Sequence, residues 1–135
     1  MSAQGKAKRA IYYKLKNTSA VTAIATGGIH QTQIKQKSVP PFVLITEEGI
    51  SPQDTKTDAV GTGATTNLHY LTVSCYARTE LLLNNLAAAV DAALNHLSGT
   101  IDTIVVDDCR FVNSNTDAVE DIHYTDMDFE VWTNQ

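Results

Sequence analysis

The chain has 135 residues, 43% hydrophobic and 19% charged, with a formal net charge of −5. That length fits one domain, residues 1–135, whose core needs no staples, and the absence of any run of about 18 apolar residues excludes a transmembrane helix. The basic opening (MSAQGKAKRAIYYKLK) leads into no apolar stretch of signal-peptide type, so the expectation is a chain that folds in a cytoplasm.

In residues 6–17, Ala7, Ala10, Ile11 and Leu15 recur at helical spacing with lysines opposite. This predicts a helix whose terminal Lys14 and Lys16 complement its dipole. Asn17-Thr18-Ser19 is a break. Ser19 then caps a short second helix over 20–26, with Val21 and Ile24 inward, and Gly27-Gly28 stops it. Residues 29–34 alternate weakly and predict a short extended piece, followed by a polar loop at 35–38. Val39-Pro40-Pro41 forces an extended backbone, and the apolar run FVLIT at 42–46 opens a strand that reaches 50. Residues 47–66 show no period. A loop at about 51–66 is expected to be a flexible excursion between this strand and the next.

Residues 68–77 (LHYLTVSCYA) alternate strictly. His69, Leu71, Val73, Cys75 and Ala77 share one side; Leu68, Tyr70, Thr72, Ser74 and Tyr76 share the other. Thr79 is placed to cap a helix and Glu80 to favour its positive end. Leu82, Leu86, Val90, Ala93 and Leu97 form the expected inward stripe, widened by Leu83, Ala87 and Leu94, and Gly99 is its expected end. A strand follows over 101–112, with Ile101, Thr103, Val105, Asp107, Cys109 and Phe111 expected inward and Asp107 near an edge or bulge. Asn113 to Asp117 (NSNTD) reads as a turn. The last strand covers 118–132, with His123, Thr125, Met127, Phe129 and Val131 on its apolar side and a largely acidic opposite side. The order predicts an α+β fold: a four-stranded antiparallel sheet with one long helix and the N-terminal helices packed on one face.

Little in the chain points to catalysis. His30, His69, His96 and His123 stand in no metal-ligand spacing, and His69 and His123 read as hydrogen-bonded core residues. Cys75 and Cys109, far apart and in strands, read as buried reduced thiols. No GxSxG elbow occurs, and Gly61-Thr62-Gly63 lacks the lysine and helix of a phosphate loop. The strongest chemical candidate is Asp126-x-Asp128-x-Glu130, whose period puts three carboxylates on one side of a strand. Such a row either holds Mg²⁺ or Mn²⁺ or makes a solvated sheet face.

Charge is distributed unevenly. Residues 1–37 carry Lys6, Lys8, Arg9, Lys14, Lys16, Lys35 and Lys37 with no acid, a formal +7. Residues 91–135 carry ten acids against Arg110 alone, a formal −9. Three readings stay open: an arm that contacts nucleic acid, two poles that attract copies of the chain or charged neighbours, or a solvated basic helix and acidic sheet.

The layout resembles the tail-terminator or tail-completion proteins of long-tailed, siphovirus-like bacteriophages. A first helix precedes a short Ala/Val-rich helix ended by Gly27-Gly28-Ile29; a proline-led strand (Pro40-Pro41-Phe42-Val43), a loop and the LTVSCYA strand follow. Then come a helix with Leu86, Val90 and Leu94 and a closing strand with Tyr124, Asp126, Asp128, Phe129 and Glu130. The resemblance implies a structural virion protein, not an enzyme, with no cofactor. Its implied form is a homo-oligomeric, hexameric ring that binds the tail tube protein, terminates tube polymerisation and offers the head–tail connector a joining surface. DNA would pass through the lumen without sequence-specific binding. The implied location is the head-proximal end of the virion tail, after synthesis in the host bacterial cytoplasm and without a membrane. Expected interface residues are Lys6, Lys8, Arg9, Lys14 and Lys16 on one surface and Asp126, Asp128 and Glu130 on another, with Asp54, Lys56 and Asp58 in the loop. Alternatives are a head–tail connector adaptor or stopper and, in another class, a metal-dependent phosphohydrolase using the acidic last strand.

Overall fold

Two-residue alternation organises the structure, a computed structural model that describes residues 5–31, 39–54 and 65–134. In chain order the elements are α1 (Lys6–Lys16), α2 (Ser19–Thr22), β1 (Ile29–Gln31), β2 (Phe42–Asp54), β3 (Thr65–Ala77), α3 (Glu80–Leu94), β4 (Gly99–Ile101), β5 (Ile104–Val119) and β6 (Ile122–Asn134). The α+β class holds, but the sheet has six strands rather than four, in the order β1-β2-β3-β6-β5-β4. The four long strands are mutually antiparallel, as expected. The additions are two three-residue edge pieces, β1, which pairs parallel with β2, and β4, antiparallel to β5.

The alternation of β3 and β6 sorts their side chains between the two sheet faces. His69, Leu71, Val73, Cys75 and Ala77 of β3 are buried, as are Thr125, Met127, Phe129, Val131 and Thr133 of β6. Both helices lie on that face. From α1 come buried Ala7, Ala10, Ile11 and Leu15; from α3, Leu83, Leu86, Val90 and Leu94, spaced three and four apart. Each large apolar side chain fully buried here contributes roughly 1.5–3 kcal/mol. The inward stripe of α3 is rotated from the expected one, since Leu82 is partly exposed and Leu83 is buried.

Local chemistry explains most boundaries. Thr79 Oγ1 accepts a hydrogen bond from the Leu82 amide at 3.2 Å and so caps α3. α3 ends at Leu94, before Gly99, because the His96 amide donates to the Cys109 carbonyl of β5 at 2.7 Å and His96 turns left-handed with φ 67°. Gly99 instead opens β4. The β4–β5 hairpin turns on Asp102 and Thr103, both at positive φ (47° and 67°), a two-residue geometry usually served by Asn-Gly or Asp-Gly. Thr18, not Ser19, is the N-cap of the shorter α2. Gly27 is required by space: a Cβ there would collide with the Val39 and Pro41 carbonyl oxygens, and its own amide donates to the Pro41 carbonyl at 2.7 Å.

Two expectations about the last strands fail because of how β5 pairs with β6. β5 contains bulges between Val106 and Asp108 and between Phe111 and Asn113. Each extra residue reverses which side chains face inward. Ile104 and Val106 are therefore buried while Val105 is 41% exposed, contrary to the expected face; past the first bulge Cys109 is inward as expected. The segment NSNTD is not a turn. It pairs with β6 from Asn113↔Asp128 to Asp117↔Tyr124, with Thr116 and Thr125 hydroxyls 3.0 Å apart across the ladder. Cross-strand pairing overrides local turn composition, and the turn falls at Glu120 and Asp121, so β6 begins at Ile122 rather than at 118. Of the loop expected at about 51–66, residues 51–54 and 65–66 are strand instead, since β2 continues to Asp54 and β3 starts at Thr65, and residues 55–64 lie outside the described residues.

Two measurements test this packing. Gly27→Ala should lower stability by more than about 2 kcal/mol, read by urea denaturation, because neither carbonyl can move without displacing the start of β2. Burial, aided by nearby Asp126 and Asp108 respectively, pushes the Cys75 and Cys109 thiols up to about 12 from an ordinary 9.0. Native protein should therefore resist iodoacetamide at about pH 8 and react once unfolded. The unfolded chain releases these protons first. Their contribution to stability is then full below about pH 9 and disappears as pH climbs through about 12.

Candidate functional site

The uncovered sheet face gathers acids from two strands around hydroxyls of a third. On β6, Asp126, Asp128 and Glu130 point to this face because Met127 and Phe129 between them are committed to the core. Register then sets their neighbours on β3: Ser74 stands opposite Asp126, Thr72 opposite Asp128 and Tyr70 opposite Glu130. Ser74 Oγ donates to Asp126 Oδ1 at 2.6 Å, and Thr72 Oγ1 lies 2.9 Å from both Asp128 Oδ1 and Glu48 Oε1. Glu48 reaches this face through the irregularity in β2 between Glu47 and Gly49. A hydroxyl has one proton, so Thr72 can satisfy only one of its two carboxylates at a time. Arg110 is opposite Glu130 in register, yet its guanidinium turns to Asp108 (2.8 Å) and lies over the Trp132 ring (5.2 Å to the centroid).

These groups border a shallow hollow of about 450 Å³, with Tyr70 and Val112 on its rim. Further along the face, Phe42, Tyr76 and Tyr124 stack across three strands at 4.6 and 5.8 Å. Partial burial, then the charge of Asp126, raise the Tyr76 phenol above its usual range, so Tyr76 stays a neutral donor. Among the described residues the result is a carboxylate-rich surface short of hydrogen-bond donors.

The basic residues lie in the opposite layer. Lys6, Lys8, Arg9, Lys14 and Lys16 are all on α1, which packs on the covered face. Arg9 is tied to the β4–β5 turn, with Nε 3.4 Å from Asp102 Oδ2, and Lys16 lies over the Tyr12 ring at 5.7 Å. The structure thus keeps the expected basic and acidic sets apart, on the two sides of one sheet. Asp54 ends β2, and its side chain, like Lys56 and Asp58, lies outside the described residues.

A metal centre finds no support in this geometry. The Asp126 and Asp128 carboxylates are each drawn sideways to a hydroxyl of β3, Ser74 and Thr72, rather than toward a common point between them. Among the described residues no group of three His, Cys, Asp or Glu side chains could hold one. Glu47, His69 and Thr133 do form an acid–imidazole–hydroxyl chain, at 2.8 Å on each side of the ring. Its hydroxyl end is 1% exposed and the ring 0%, so no substrate reaches it. Glu47 Oε2 also accepts the Gly5 amide at 3.0 Å, which fastens the start of α1 to β2. That is a structural role.

Comparison with known proteins now decides the family. A family model described as tail completion protein gp17 matches residues 9–134. The chain belongs to the tail completion protein gp17 family. It is a structural protein of the phage tail, located in the virion. Among solved structures, a chain from the "Virion of native gene transfer agent (GTA) particle" has the same fold, with a TM-score of 0.79 at 16% identity, covering 99% of this tail completion protein and 100% of that chain. No curated protein sequence matches it. Sequence reasoning placed the acidic row but missed Glu48, Thr72 and Ser74 beside it. The period-two run carried the signal for the two hydroxyls; the bulge that aims Glu48 left none.

His69→Ala should cost this tail completion protein about 3 kcal/mol, since it strands a nearly buried carboxylate. The loss would appear as a lower urea midpoint; an unchanged midpoint would remove the anchoring role given to the chain of hydrogen bonds.

Proposed function

We propose that this chain assembles into a ring, with six subunits as the working number, that caps the phage tail tube. The ring stops tube polymerisation and presents the head–tail connector with a joining surface. The carrying observation is the separation of charge across the sheet: acids short of donors on one face, lysines on the helix layer behind the other. A subunit so built has two different contact surfaces and cannot satisfy its acidic one internally. Stacked rings or tube subunits that offer basic side chains would supply the missing donors, and complementary charge would set orientation and association rate. The chain acts as a structural part and not as an enzyme; the only acid–imidazole–hydroxyl set found among the described residues is sealed in the core. Lys6, Lys8, Arg9, Lys14 and Lys16 mark the second contact surface, and Asp54, Lys56 and Asp58 belong with a neighbouring subunit or the lumen. DNA would traverse the ring without base-specific contacts.

The test is a charge reversal. The triple variant Asp126→Lys, Asp128→Lys, Glu130→Lys should abolish binding to purified tail tube protein in light scattering and negative-stain images. Its circular dichroism spectrum and melting curve should stay close to those of the parent, because the three side chains leave the core face untouched. Unchanged tube binding by a folded triple variant would sink the assignment of this face. Binding to a connector protein instead of tube protein would favour the adaptor reading.

A further inference from the structure

Among the described residues the sheet is left open at two diagonally opposite places. β4 covers β5 only from Ile104 to Val106, and the end of α3 meets β5 no further than Phe111, whose amide donates to Asn95 Oδ1 at 3.2 Å. Beyond the second bulge, residues 113–119 pair with β6 on one side and with no described strand on the other. Every side chain from Arg110 to Asp121 is exposed. Residues 113–119 hold one charge, Asp117, and no lysine or proline, so they lack the features that usually blunt an edge. On the far side of the sheet, β1 covers β2 only from Val43 to Ile45. From Thr46 onward β2 pairs with β3 and with no other described strand. Here the edge runs along a groove of about 680 Å³ lined by Thr46, Glu47, Gly49 and Ile50, with Gly5 and Lys8 as its other wall. Pro52 has no N–H to give and closes the usable stretch at residue 51.

We propose that residues 115–119 of β5 pair antiparallel with residues 46–51 of β2 in a second copy of this chain, with Glu48 as the extra, unpaired residue, continuing the sheet from subunit to subunit. This rests on the ring reading above and names the contact that builds it. Three observations select a second copy as the occupant. Within one sheet β2 and β5 run antiparallel, so a head-to-tail repeat of the subunit sets them antiparallel across the junction as well. The usable part of β2 from Thr46 to Ser51, less its extra residue Glu48, offers five pleated positions, and Asn115 to Val119 of β5 offers five. They also match in face: bringing Asp117 opposite Gly49 puts Thr116 opposite Ile50, so uncovered and covered faces both continue without a break. The acidic turn with Glu120 and Asp121 then approaches the groove whose other wall carries Lys8, while Glu47 and Glu48 are held by His69, Gly5 and Thr72.

The stagger agrees with closure. Asp117 stands in the row of Tyr124, Tyr76 and Phe42, and Gly49 in the row of Tyr70, six positions along β3. A six-residue step is roughly 20 Å, and the repeat from β2 to the next β2 spans four strand spacings of about 4.8 Å. The strands would tilt about 45° from the ring axis, at the upper end of the usual range for closed sheets. The contact is heterologous, which generates rings rather than two-fold dimers.

Cysteine cross-linking tests the pairing. Asp117→Cys and Gly49→Cys suit it, since a Cβ at Gly49 meets only Tyr70 Cδ2 at 4.0 Å, and the native thiols are buried. With a short bismaleimide, the double variant should give a ladder ending at one closed oligomer on a denaturing gel. An equal mixture of the two single variants should give dimers only, and each single variant alone should stay monomeric. Thr116→Cys with Ile50→Cys repeats the test on the other face should the first pair disturb folding. Self-cross-linking of Asp117→Cys alone would overturn the proposal in favour of a two-fold contact. A ring visible by light scattering and negative stain that neither pair cross-links would overturn the edge pairing and leave the ring standing. Absence of any association, even with tail tube protein present, would remove both.

Discussion

The register between β3 and β6 is the constraint on which the rest depends. It runs without a break from Thr66↔Asn134 to Ala77↔His123, at the centre of the sheet, and it fixes both faces at once. A slip of one residue in β6 would turn Asp126, Asp128 and Glu130 under the helices and expose Met127, Phe129 and Val131. Burying unpaired carboxylates costs several kcal/mol each, far more than a misplaced backbone bond. The core therefore dictates the acidic face, and the acidic face enforces the core. The helices contribute by covering only one side, which leaves the other a surface instead of an interior.

That same logic accounts for what the amino-acid sequence revealed. Alternation in residues 68–77 and 118–132 is a local property, and it grouped the buried His69, Leu71, Val73, Cys75 and Ala77 of β3 and the buried Thr125, Met127, Phe129 and Val131 of β6, although His123, expected with them, is only half-buried. The Thr79 cap of α3 was similarly plain, and its helical stripe was legible apart from the exchange of Leu82 for Leu83. What stayed hidden depends on partners distant in the chain. NSNTD has turn composition, yet β6 holds it extended. The first β5 bulge falls at Asp107, which the sequence marked as an edge or bulge position, but nothing marked the second, at Val112. β4 is three residues long, too short for a period to emerge, whereas β1 lies within the short extended piece expected at 29–34. His96, an unremarkable residue, ends α3 through a bond to Cys109. The acidic row was legible, but its hydroxyl neighbours required a register that only the assembled sheet supplies.

The site itself is defined by a mismatch between donors and acceptors rather than by reactive groups. Ser74 and Thr72 supply two protons to three carboxylates, and Arg110 is drawn aside by Asp108 and Trp132. In water such a surface is merely solvated. Against a partner it imposes a requirement, because each carboxylate that loses its hydration needs a donor in return. Family membership in the tail completion group is in keeping with a protein whose surfaces, not its pockets, carry the specificity.

The paired bulges of β5 have a consequence for how the strand tolerates changes of length. Each one inverts the pleat, so the two together restore the parity with which β5 began. Asp107 and Val112 are the extra residues, and the residues that flank each already pair with consecutive positions of β6. Losing either one alone would flatten its bulge and leave Cys109 inward, Arg110 outward and the exposed half on its present faces. Losing a paired residue such as Arg110 would instead swap the faces of its neighbours. Single deletions in this strand are thus admissible at the bulges or at the Glu120–Asp121 reversal, and not between them.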